Sequence, residues 1–221
     1  MTSPAAYDAF ADWYEDYLSH AAAPYTARVQ ELLRDLLGGG PGRCLEVCCG
    51  TGAHAATLRE LGWIPVGVDL SRGQLRHAAA RLPVAAGDAA ALPVRDATVG
   101  AATVVLGHTD VPDYASVLAE VGRVLAPGGR FVHLGVHPCF TGAFADRSHP
   151  SRLVIDGRYA DRSYSFDAWT PHGVRARVGA WHVPLADLLN GVTAAGLRIE
   201  RVAESGPAGV PDMFGLVARR P

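Results

Sequence analysis

Lysine is absent from this 221-residue chain, so all 20 basic residues are arginine. That removes Schiff-base amines and the lysine-dependent phosphate loop from the available chemistry. A basic excess is also lacking: the net charge is -2, which leaves no cationic stripe to displace counterions from a nucleic-acid backbone. Nucleic acid is therefore not an expected partner. No apolar run approaches the roughly 20 residues that span a bilayer, and the N-terminal stretch MTSPAAYDAFADWYEDYL carries acids where a secretory signal carries basic residues. The expectation is a cytoplasmic protein without a membrane partner, as a monomer or a homodimer. Cysteine is scarce, at 4 residues. Cys44, Cys48 and Cys49 crowd one strand end and Cys139 stands apart, which matches neither a disulfide framework nor a zinc site. Reduced, packed thiols and no bound metal are expected.

What is present suits a folded domain: 49% of residues are hydrophobic and 19% charged, enough apolar surface for a core. The length fits one domain over residues 1–221. Residues 4–19 and 24–37 read as helices, the second from apolar positions at Val29, Leu32, Leu33, Leu36 and Leu37, ended by Gly38 to Pro41. Beyond it, apolar runs at Cys44–Cys48, Ile64–Asp69, Val84–Ala86, Val99–Leu106 and Arg130–Val136 alternate with helical stretches at Ala53–Leu61, Ser71–Arg81 and Asp113–Leu125. Such alternation implies an α/β fold with parallel strands and right-handed crossovers. Residues 137–183 break the rhythm and read as an insertion. A helix near Pro184–Ala195 and two strands, Leu197–Ala203 and Met213–Ala218, finish the chain.

The first strand runs into Gly50 and Gly52, where bare backbone lets N–H groups approach a ligand. Gly50-x-Gly52-x-x-Ala55, with Asp69 following near the spacing of a ribose-binding acid, also fits a dinucleotide fingerprint. Glu46 helps to separate these readings, because a carboxylate just before the glycines favours a cationic ligand and repels a pyrophosphate.

In this segment, Glu46-Val-Cys48-Cys-Gly50-Thr-Gly52, the chain resembles the class I methyltransferases that use S-adenosyl-L-methionine (SAM), in their small-molecule, type 11-like form. Cys48 stands where that family has its first loop glycine. Further segments match in order: Val66-Gly-Val-Asp69-Leu70-Ser, Gly87-Asp88-Ala89, Val104–Asp110, and Arg123-Val-Leu-Ala-Pro127-Gly-Gly-Arg130. The resemblance implies a Rossmann-like, doubly wound, mostly parallel seven-stranded sheet with a C-terminal antiparallel strand. It implies an N-terminal helical lid (1–40), a cofactor core (43–136), a substrate-side insertion (137–183) and a C-terminal helix with strands (184–221). Asp69 would then hold the ribose hydroxyls, and Asp88 and Ala89 the adenine. Glu46, Cys48, Gly50, Gly52, Leu70, Leu106 and His108 would complete the SAM site, with Tyr14 of the lid at the methionine end and S-adenosyl-L-homocysteine as product.

The implied activity is methyl transfer to O, N or C of a small molecule, such as a natural-product intermediate. A histidine base suits an acceptor that must lose a proton. By resemblance His182, in Trp181-His182-Val-Pro-Leu, is the first candidate and His137 the second. Phe140, Phe144, Tyr164, Phe166, Trp169 and Trp181 offer an aromatic acceptor pocket, and Arg147, Arg152 and Arg158 can pair with an acceptor acid; Tyr7 belongs with the aromatics of the first helix. Two other readings stay open at this point: an NAD(P)-dependent oxidoreductase, from the glycine pattern, and a SAM-binding protein without catalysis.

Overall fold

The computed structural model describes residues 5–149, 152–168, 173–207 and 209–221. Parallel strands β1 (Arg43–Val47), β2 (Ile64–Asp69), β3 (Val84–Ala86) and β4 (Val99–Val105) follow the apolar runs to within a residue, whereas β5 (Leu125–Val136) starts five residues before the expected Arg130. The insertion contributes two small antiparallel pairs, β6 (Ala145–His149) with β7 (Arg152–Ile155) and β8 (Tyr164–Ser165) with β9 (Ala180–Trp181). Strands β10 (Arg198–Ser205) and β11 (Met213–Arg219) complete a seven-stranded sheet of order β10-β11-β5-β4-β1-β2-β3, in which β11 runs antiparallel to both neighbours. This is a Rossmann-like α/β sheet. Chain order reverses between β1 and β4, and ligands of open α/β sheets bind outside the strand ends at such a reversal.

Alternation along the strands sends successive side chains to opposite faces, and each face has its own core. On one face α2 (Ala23–Leu37) buries Val29, Leu32, Leu33, Leu36 and Leu37 against Cys44, Ala101, Val105, Val132, Leu134 and Val217. On the other, α5 (Tyr114–Val124) and α7 (Leu185–Ala194) cover Leu45, Val47, Ala102, Val104, Phe131 and Leu216. Each fully buried aliphatic side chain contributes roughly 1.5–3 kcal/mol. The helices start where caps allow: Ser71 accepts from Gln74 N at 3.2 Å ahead of α4 (Arg72–Ala78), and Asp113 from Ser116 N at 3.2 Å ahead of α5. Helix α3 (Ala55–Glu60) leaves the glycine loop, and α6 (Val174–Val178) sits in the insertion.

The N-terminal reading needs correction. Residues 4–19 are not one helix: a 3₁₀ turn at Asp8–Phe10 precedes α1 (Ala11–Ser19), and Met1–Pro4 lie outside the described residues. The break has a cause, because Asp8 is drawn onto α4, its Oδ1 accepting from Ser71 Oγ at 2.7 Å and Gly73 N at 2.9 Å. Trp169 also lies outside the described residues. Among those described, no helix is long and apolar enough to cross a membrane.

Helices α5 and α7 meet at Gly122, where a β-carbon would collide with the carbonyl oxygen of Ala195. Gly122→Ala gains helix propensity but must push α7 away. Urea denaturation should show a net loss of about 1–2 kcal/mol; an unchanged or raised midpoint would mean the contact yields freely.

Candidate functional site

Leaving β1, the chain turns through left-handed backbone at Cys48 (φ 57°), Gly50 (φ 55°) and Gly52 (φ 73°), and leaving β4 it does so at Leu106 (φ 61°). For a non-glycine residue this conformation is uncommon and costs on the order of 1–2 kcal/mol. Cys48 thus keeps the backbone shape of a glycine. The adjacent Gly107 makes room for it, since a β-carbon there would stand 2.7 Å from Cys48 Cβ.

Asp69, at the end of β2, ties these loops together. Its Oδ2 accepts from Gly50 N at 2.8 Å and its Oδ1 from Ser71 N at 2.8 Å. Burial nevertheless raises its pKa, more than these bonds lower it. After β3, Asp88 accepts from Ala90 N at 2.9 Å. After β4, Asp110 Oδ1 accepts from the Tyr7 hydroxyl at 3.2 Å. Asp110 is exposed where it faces the cavity, with its carboxyl crowded by surrounding protein atoms. Burial raises its pKa to about 7; the charge of Asp69 adds to this, while Tyr7 and the Arg175 guanidinium oppose it. Cavity water moderates the effect, and closure around a ligand strengthens it.

These strand ends surround a cavity of ≈320 Å³, within the usual size of small-molecule sites. Its acids are Asp69, Asp88, Asp110 and Asp113, and among the described residues no arginine lines it. Leu70, 61% exposed, stands at its rim beside Asp69. The roof is the N-terminal segment, through Tyr7 and Tyr14, whose rings meet edge to face at 5.3 Å. That segment is fastened by polar contacts: Arg81 Nη1 donates to Glu15 at 2.9 Å and to the Thr51 carbonyl at 2.8 Å, His77 meets Asp12 at 2.8 Å, and Arg177 lies over Trp13 at 4.2 Å.

Residues 44–129 match the methyltransferase-domain family. A demethylmenaquinone methyltransferase of Mycolicibacterium paratuberculosis is 41% identical over 101 residues, 45% of this chain and 44% of that one. A solved SAM-dependent methyltransferase from Mesorhizobium loti superposes with a TM-score of 0.68 at 26% identity, over 82% of this chain and 92% of that one. Over residues 44–129 the chain is similar to methyltransferase domains, and its sheet is the fold of solved SAM-dependent methyltransferases. The chain spans about half the length of the curated relatives it matches. A possible histamine N-methyltransferase from Thermotoga maritima, with a TM-score of 0.68 at 21% identity over 98% of both chains, shares the fold.

Within this methyltransferase fold, Tyr14, Cys48, Gly50, Asp69, Leu70, Asp88, Ala89 and Leu106 all line the cavity. Gly52 lies behind it, where a β-carbon would stand 2.6 Å from Leu82 and 3.4 Å from Ala78 of α4. Glu46 and His108 do not line it either. His108 is buried against His133 and Gly135 with Nδ1 unpaired, and burial depresses its pKa strongly, so it is neutral. His137 has both ring nitrogens engaged: Nδ1 accepts from Cys139 N at 3.1 Å and Nε2 faces Glu204 at 2.7 Å. His182 stands in a separate small pocket, its Nε2 donating to the Tyr159 carbonyl at 2.9 Å. Neither histidine is brought to the cavity. The sequence reading passed over Asp110 and Tyr7 as a pair and missed Gln74, which reaches Gly50. Asp110 ends a segment that had been assigned to the cleft, and Ser71-x-x-Gln74 has the spacing of a capping box.

Glu46 is buried with Oε2 unpaired, and burial, then the charge of Asp69, pushes its pKa to about 8. Its folded pKa lies above the ordinary carboxyl value of about 4.3. Its contribution to stability is therefore complete below that value and lost as pH rises through about 8. Glu46→Gln cannot ionise. In thermal denaturation of the ligand-free protein, it should melt above the native chain at pH 8.5, with the gap closing near pH 4.5. A gap that does not change with pH would remove the buried-acid account.

Proposed function

We propose that this chain is an enzyme that transfers a methyl group from SAM to O, N or C of a small-molecule acceptor. The observation that carries this is a cavity at the sheet's reversal point lined by acids from successive strand ends and, among the described residues, by no arginine. A dinucleotide's phosphates would face only like charge there, whereas a sulfonium and an ammonium are stabilised. The Glu46 carboxyl beneath the loop, its Oε2 without a partner, ionises more readily beside a cationic ligand.

In this reading Asp69 holds the ribose hydroxyls, Asp88 and the Ala89 backbone hold the adenine, and Leu70 and Leu106 cover its faces. Tyr14, Cys48 and Gly50 enclose the methionine end, and the Glu46 carboxyl beneath the loop loses its proton more readily once the cation is bound. Bound SAM supplies an electrophilic methyl group. The chain's own work is to align the acceptor, exclude water under the N-terminal segment and take up a proton. Asp110 is the base we favour over His182 and His137, because it opens into the cavity and Tyr7 orients it; a proton acceptor of pKa about 7 suits neutral solution. The relatives' printed acceptor, demethylmenaquinone, supports a flat ring compound. A natural-product intermediate methylated in the cytoplasm is the setting we propose.

Calorimetric titration should show saturable SAM binding below millimolar concentration and no binding of NADH. Asp69→Ala should weaken SAM by about 2–4 kcal/mol through loss of charge-assisted hydrogen bonds. Unchanged affinity would sink the ribose assignment. With a panel of phenols, amines and carboxylic acids, Asp110→Asn should lower turnover by roughly 10²–10⁴ while SAM affinity stays within about threefold of the native value. No turnover of any acceptor by the native chain would leave a SAM-binding protein without catalysis.

A further inference from the structure

Beside the main cavity, and sharing Tyr164 with it, lies a second pocket of ≈160 Å³. Phe144 and Tyr164 give it aromatic walls, and Arg158, Arg175 and His182 give it basic groups. The two arginines differ in kind. Arg158 is exposed and already neutralised by Asp156 at 2.7 Å and Asp167 at 3.3 Å. Asp161, which also lines the pocket, acts on Arg158 as well. Arg175 is half-buried, and its guanidinium has no hydrogen-bond or ion-pair partner among the described residues. The acid whose charge reaches it is Asp110, on the cavity side.

A guanidinium withdrawn from water without a partner is costly, and its planar donors match a carboxylate or an ionised phenol. Its backbone placement is firm. Helix α6 is held to the N-terminal roof by Arg177 over Trp13, and the left-handed Gly179 lets the Tyr164 ring pack directly on the chain after it. The position is also the useful one, since Arg175 interacts electrostatically with Asp110 and Tyr7 in the cavity and with His108 and His182 behind it.

We infer that this pocket is the acceptor's subsite and that Arg175 binds an anionic oxygen group of a flat, aromatic acceptor, directing its nucleophilic atom past Tyr164 toward Asp110. The inference rests on the methyltransferase reading and names the class of acceptor. His182 joins the site as a polar wall: with its Nε2 proton given to Tyr159, Nδ1 is left as an acceptor for a neutral hydroxyl.

The probes are benzoate and benzamide, of one shape and different charge, titrated against the full chain saturated with S-adenosylhomocysteine. Benzoate should bind at least about tenfold more tightly than benzamide. Arg175→Gln should abolish that preference while leaving S-adenosylhomocysteine affinity unchanged, which also reports a folded protein. Arg175→Lys should retain part of the preference. Equal binding of the two probes, no binding of benzoate, or a preference that survives in Arg175→Gln would overturn the inference. Failure of S-adenosylhomocysteine to bind the native chain would instead strike at the methyltransferase reading.

Discussion

One carboxylate organises the cofactor end of the molecule. Asp69 closes β2 and accepts from the backbone of Gly50 and of Ser71, so the loop after β1 and the start of α4 take their positions from the same pair of oxygens. Other features follow from that junction. The left-handed turns at Cys48 and Gly50 keep their shape because the loop is pinned on its far side. Gln74 can approach Gly50 because α4 begins where Asp69 and Asp8 together set it. The cavity is the space this arrangement leaves open above the reversal of strand order.

Charge is distributed around that space with a clear division. The acids face the cavity, and the arginines lie outside it, fastening the roof or lining the second pocket. Desolvation raises the pKa of Glu46 and of Asp110, and the charge of Asp69 adds to both shifts. A cationic ligand that favours the ionised acids therefore stabilises the fold when it binds.

Much of the architecture was legible in the sequence because periodicity reports burial. The strands at Ile64–Asp69 and Val84–Ala86 match the structure residue for residue, and the cavity-lining acids at 69 and 88 stood where the family's spacing placed them. Contacts between segments distant in the chain were not legible. Asp8 leaves helical geometry to cap a helix more than 60 residues away, a tertiary demand that overrides local propensity. His182 and His137 looked like bases from residue type, position along the chain and, for His182, the resemblance of Trp181-His182-Val-Pro-Leu to a family stretch. Both ring nitrogens of His137 are occupied, by Cys139 and Glu204, and Nε2 of His182 by Tyr159, partners that only the folded chain brings near. Arg175 carried no motif, and its interest lies entirely in what surrounds it.

The roof over the cavity is unlike the cores beneath the sheet. Helix α1 buries only Ala11, and the 3₁₀ turn before it buries nothing, so the segment is held by ion pairs and a cation–ring contact in place of apolar area. Such fastenings are weakened by dissolved salt, while apolar packing is not. Dissolved salt therefore bears more on the cover of the cavity than on the body of the domain.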